Sequence, residues 1–123
     1  MKIRIKGNSI RIRLSRTEVD SFGSGGYLEE RTEFGNGAFV YALQSRDDIA
    51  DLAATFADDK ITVMVPAAIT KEWTTTEIVG FDHNMDIGEE KQLFLLIEKD
   101  FKCVDAPPGE DQSDNYEHPT KVC

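Results

Sequence analysis

Two stretches, Ser9-Ile10-Arg11-Ile12-Arg13-Leu14-Ser15 and Lys60-Ile61-Thr62-Val63-Met64-Val65-Pro66, share one pattern and limit what this chain can become. Each sets an aliphatic residue at every second position, the period of a half-buried strand. Each then enters a short helical segment that carries a large aromatic, Phe22 or Trp73, at the matching place, and a new strand follows. Either the chain holds a duplicated strand, helix and strand unit whose two copies close against one another as a barrel, or two unrelated strands share a period.

The neighbouring residues extend the pattern. Ile3 and Ile5 alternate with Lys2, Arg4 and Lys6, and Gly7-Asn8 supplies turn chemistry, so residues 2–14 read as two short strands or one bent strand. Ser15 caps the first helix with Glu18 three residues on, Val19 and Phe22 point inward, and Gly23-Ser24-Gly25-Gly26 closes it after about two turns. Tyr27 to Phe34 and Ala38 to Leu43 flank Gly35-Asn36-Gly37 as a hairpin. Leu52 to Ala57, Asp58-Asp59 and Ile61 to Val65 form another, with a helical turn beginning at Arg46 as the alternative start. Pro66 opens the second helix, which buries Ile69 and Trp73, and Thr74-Thr75-Thr76 favours extended chain. Ile78 to Phe81 is a strand, Asp82 to Lys91 a polar connection and Gln92 to Ile97 a buried strand. The expected fold is mainly β, of the α+β kind: a small barrel-like sheet of antiparallel and mixed strands with two short helices. It occupies residues 1–103, and residues 104–123 form a flexible acidic tail.

Charge narrows the partners. Fourteen Lys and Arg against 23 Asp and Glu give a net charge of −9, which repels polyanions and disfavours generic binding to nucleic acid or anionic membranes. No apolar run reaches signal-peptide or membrane-span length, so a cytoplasmic location is expected. The charge is segregated, however. Lys2, Arg4, Lys6, Arg11, Arg13 and Arg16 fall in a segment without one acidic residue, and strand alternation gathers most of them on one surface. Such a surface can neutralise phosphates, with binding that falls steeply as salt rises. The same stripe can instead be a solvated face, meet carboxylates of neighbouring strands such as Glu29, Glu30 and Glu33, or dock the chain's own acidic tail.

The run Lys6-Gly7-Asn8-Ser9-Ile10-Arg11-Ile12-Arg13-Leu14, Gly26-Tyr27-Leu28-Glu29 and the Gly35-Asn36-Gly37 hairpin together resemble the swapped-hairpin barrel domains of AbrB-type bacterial regulators and MazE-type antitoxins. In that family two short chains interlock into one barrel and basic side chains of the early strands touch DNA. The resemblance implies that the second copy here lets one chain do the work of a dimer, and that the six early cations are DNA contacts. Ser15 stands where that family usually has a proline. The whole chain, with Lys99-Asp100-Phe101-Lys102-Cys103 and the ending Glu110-Asp111 through His118-Pro119 to Cys123, also looks like a small family of uncharacterised bacterial proteins.

Other chemistry is sparse. Cys103, His118 and Cys123 are ligand types that suit zinc, but they lack the paired spacing of a structural site, and a half-buried thiol with a frayed terminal one explains them as well. A Cys103–Cys123 disulfide would close about twenty residues and contribute roughly 3 kcal/mol in an oxidising compartment. The run Glu110-Asp111-Gln112-Ser113-Asp114-Asn115 lacks calcium-loop spacing. His83, between Asp82 and Asn84, has no accompanying nucleophile and is more simply an exposed loop residue than a general base. The 23–26 glycines follow a helix, so a turn explains them better than a phosphate cradle, and Phe22 with Trp73 reads as core before ligand pocket. The function expected from the residues is that of a non-enzymatic binding domain without a cofactor, acting on an unknown protein partner or itself, with DNA binding as the alternative.

Overall fold

The computed structural model describes residues 1–101 and 114–116. Ten elements follow in order: β1 (Lys2–Lys6), β2 (Ser9–Leu14), α1 (Arg16–Gly25), β3 (Tyr27–Glu33), β4 (Ala38–Arg46), β5 (Ala53–Ala57), β6 (Lys60–Pro66), α2 (Ala67–Thr75), β7 (Gly80–Gly88) and β8 (Lys91–Lys99). The first five and the last five repeat one plan of hairpin, helix and hairpin.

The halves interlock. One sheet has the order β1-β2-β8-β7 and the other β3-β4-β6-β5, so each sheet takes one hairpin from each half. The central pairs are parallel and in equivalent register, with Ile12 beside Ile97 where β2 meets β8 and Val63 beside Leu43 where β6 meets β4. The duplicated pattern of the sequence is therefore present as an architecture. The strands do not close into a barrel. They form two four-stranded mixed sheets, because β1, β7, β3 and β5 stay at sheet edges with no ladder among the described residues joining one sheet to the other.

Equivalent positions fill the core. Ile12 and Val63, Leu14 and Val65, and Phe22 and Trp73 are all buried, which removes apolar surface worth roughly 1.5–3 kcal/mol per large side chain from water. Both helices lie at the ends where β2 and β6 finish. Helix α1 starts on a complete capping box: the Glu18 amide donates to Ser15 Oγ at 3.4 Å, and the Ser15 amide donates to Glu18 Oε1 at 2.9 Å. Helix α2 starts after Pro66 without a side-chain cap.

Several local expectations change. The helix α1 runs through Gly23 and Gly25 to a left-handed Gly26 with φ of 75°, so only Gly26 serves the turn. At Gly23 a Cβ would stand 2.8 Å from Thr74 Oγ1, and that glycine instead lets α1 approach α2. Thr74 and Thr75 continue α2, since their hydroxyls donate to the carbonyls of Thr70 and Lys71 one turn back and satisfy themselves within the helix. Residues 46–52 hold no helical turn. The connection expected over Asp82 to Lys91 is mostly strand β7, in which Phe81, His83 and Met85 alternate inward against Asp82, Asn84 and Asp86.

Candidate binding surface

Sheet pairing assembles the early cations on the outer face of the first sheet. Lys2 stands opposite Arg13, Arg4 opposite Arg11, and Lys6 opposite Ser9. Continuing across β8 and β7, the three rows end in Glu98 and Gly80, Leu96 and Asp82, and Phe94 and Asn84. The face is therefore cationic on its β1 and β2 side and acidic on the other.

The six sequence candidates separate into two groups. At the helix end they are engaged by the chain itself. Lys2 Nζ lies 2.9 Å from Asp100 Oδ2, and Arg13 Nε donates to Glu98 Oε1 at 2.6 Å. Arg16 lies 5.1 Å above the ring of Tyr116, and its amide donates to the carbonyl of Asp114 at 2.9 Å. Asp114 also accepts from the Thr17 hydroxyl at 2.8 Å. Hydrogen bonds from the Ser15 and Thr17 hydroxyls hold its carboxyl below the usual aspartate range. Residues 114–116 thus lie against Arg16 and the start of α1.

Toward the opposite end the cations are more loosely engaged. Arg4, Lys6 and Arg11, with Ser9, Ile10 and Phe94, line one hollow of about 210 Å³. Among the described residues neither Arg4 nor Lys6 has a carboxylate within 4 Å, and Arg11 reaches Glu98 only at 3.7 Å while Arg13 holds that carboxylate closely. Like charges directly opposite across a ladder destabilise it, and Arg4 and Arg11 form such a pair. The expected carboxylates of β3 are elsewhere: Glu29 and Glu33 lie on the other sheet, paired with Lys60 and Arg31, and Glu30 approaches the amino terminus.

The second half is the internal comparison. In its sheet the positions of Lys2, Arg4, Lys6, Arg11 and Arg13 are taken by Ala53, Thr55, Ala57, Thr62 and Met64. The buried positions match between halves and the cationic ones do not. Strand periodicity made the stripe legible in the sequence, whereas its division into engaged and open cations depended on Glu98, Asp100 and Asp114, which only the fold brings near.

His83 lies half-buried on β7, its Nδ1 4.0 Å from Asp51 Oδ1. Phe22 and Trp73 are fully buried, and the Trp73 indole donates to the Val79 carbonyl at 2.9 Å, which makes them core. Cys103, His118 and Cys123, their zinc and disulfide readings, and Glu110 to Ser113 lie outside the described residues. No helix of the described residues is long and apolar enough to cross a membrane.

A model of a family of unknown function matches residues 1–120. No curated protein and no solved structure matches the chain.

Proposed function

The chain belongs to that family, DUF7009, and from its geometry we propose that it is a non-enzymatic protein-interaction domain that binds an acidic segment in the Arg4, Lys6 and Arg11 hollow. One observation carries this reading: Arg4 and Arg11 face each other across a ladder, beside Lys6, with the nearby carboxylate of Glu98 held closely by Arg13 and only at 3.7 Å by Arg11. A bound carboxylate offsets that repulsion through charge-assisted hydrogen bonds. The second half keeps the core and, apart from Lys60 at the position of Ser9, lacks the cations, which supports a role for them outside folding.

DNA contact, the role implied by the resemblance to swapped-hairpin regulators, draws support from the interlocked hairpins. It is disfavoured by the small open footprint, since Lys2, Arg13 and Arg16 are engaged by the chain's own groups, and by the net charge of −9. Fluorescence anisotropy at low salt with a labelled oligoglutamate peptide and a labelled DNA duplex separates the two. The peptide is expected to bind, more weakly as salt rises, and the Arg4→Ala, Arg11→Ala double variant to lose about tenfold in affinity. Binding of the duplex alone would transfer the site to DNA, and no binding of either would overturn both readings.

A further inference from the structure

Immediately beyond the cationic hollow the two sheets part at the end of the molecule opposite the helices. The gap is an apolar cleft of about 390 Å³ whose walls come in equivalent pairs from the two halves: Ile5 and Phe56, Ile10 and Ile61, and Leu93 and Phe39. Their equivalence follows from register. Ile5 faces Ile10 across its hairpin as Phe56 faces Ile61, and Leu93 and Phe39 each precede the residue that pairs with the first position of β2 or β6. The cleft thus sits where the two copies meet. Ile10 and Ile61 form its floor, both under a tenth exposed, whereas Ile5 and Phe56 stand at the rim 54% and 68% exposed. Large side chains left in water at a concave site mark a place where apolar surface is covered by something else.

Charge and continuity indicate what covers it. Ile10 belongs to the walls of both the cleft and the cationic hollow, and Ile5 and Lys6 are adjacent on β1. Between the two sites stands the Gly7-Asn8 turn. Gly7 has a positive φ of 54°, and among the described residues nothing lies within 4 Å of where its Cβ would be, so the turn is open on that side. Asn8 fixes the turn to β8, its Nδ2 donating to the Gln92 carbonyl at 2.7 Å and its own carbonyl accepting from the Phe94 amide at 3.1 Å. On the far side of the cleft the Asp58-Asp59 turn is acidic, so an anionic partner approaches from the cationic side.

Resting on the proposed acidic-segment binding, we infer that the partner segment carries one bulky apolar residue next to its carboxylates, and that this residue anchors in the cleft between Ile5 and Phe56. Specificity then comes from two adjoining sites: the hollow takes charge, and the cleft takes an aromatic or large aliphatic side chain. A purely acidic segment fills only the first.

Three short labelled peptides test this with the full chain: oligoglutamate followed by one phenylalanine, the same peptide with that phenylalanine replaced by alanine, and the phenylalanine peptide with every glutamate replaced by glutamine. The first is expected to bind about tenfold more tightly than the second, and Phe56→Ser or Ile5→Ser to erase that difference while the alanine peptide binds as before. Both variants alter exposed rim residues, and circular dichroism checks that they remain folded. Equal binding of the phenylalanine and alanine peptides, both still lost in the Arg4→Ala, Arg11→Ala variant, would overturn the anchor and leave the acidic-segment reading standing. Binding indifferent to the glutamates would overturn both.

Discussion

Phe22 and Trp73 occupy equivalent places in the two halves and meet edge to face, with ring centroids 6.3 Å apart. Each belongs to a helix that follows a central strand, so this contact joins the two copies through their most deeply buried aromatics. Truncating either ring is expected to destabilise the chain by about 3–5 kcal/mol in urea unfolding. A double-mutant cycle of Phe22→Ala and Trp73→Ala should give a coupling of about 0.5–1.5 kcal/mol.

Gly80 admits no side chain. A Cβ there would lie 2.2 Å from the Ile97 carbonyl oxygen and 3.0 Å from Glu98 Cα, both backbone atoms that cannot rotate away. Gly80→Ala is expected to lower stability by about 2–3 kcal/mol, read as a lower urea midpoint at unchanged slope.

Glu18 gives the molecule an acid-sensitive element. Burial pushes its carboxyl up, but the amino terminus and the Ser15 amide and hydroxyl together hold it below the usual glutamate range. A carboxyl depressed on folding stabilises fully above its unfolded value, and this contribution is lost as pH falls through the lowered one. The Glu18→Gln variant should therefore be less stable by about 1 kcal/mol at neutral pH and converge on the parent in acid. Melting temperatures measured from neutral pH downward check the convergence.

The open cations make the opposite prediction. Arg4→Ser removes one member of a like-charged cross-strand pair, so at low salt the variant should match or exceed the parent in stability, by about 0.2–1 kcal/mol, with the difference shrinking in high salt. Loss of stability at low salt would mean that Arg4 serves the fold.

Tyr116 should behave as a clasp. Its ring meets Phe101 at 5.7 Å and lies beneath Arg16 and Lys99, and its amide donates to the Asp100 carbonyl at 2.8 Å. Tyr116→Ala is expected to cost about 1–2 kcal/mol in urea unfolding. It should leave acidic-peptide affinity unchanged, because the clasp covers Arg16 and the hollow is built from Arg4, Lys6 and Arg11.

Much of this fold could be read from local pattern. The alternation of Ile10, Ile12 and Leu14 located β2, the Ser15 and Glu18 pair located the start of α1, and the matching Ile61, Val63 and Val65 announced the second copy. What failed was whatever depends on distant chain. Two sheets and one barrel require the same strand periods, and only the pairing of edge strands distinguishes them. His83 was misjudged because its polar neighbours hid a regular alternation with Phe81 and Met85. The six cations were visible as a stripe, but Asp100 and Asp114, which engage part of it, lie far along the chain, and the cleft exists only where both copies contribute walls.

The exchange of hairpins between halves also sets an order of events during synthesis. Arg13 and Glu98 pair across 85 positions, so the parallel neighbour of β2 leaves the ribosome long after it. Until then the nascent first half has Ile10, Ile12 and Leu14 without their parallel neighbour, and the first sheet lacks β8 and β7 while the second already has all four of its strands. Contacts so distant in sequence slow folding and prolong exposure of apolar strands. The clustered charge of this segment, six cations without a carboxylate over residues 1–16, disfavours pairing of the exposed β2 edge with another nascent chain in the meantime.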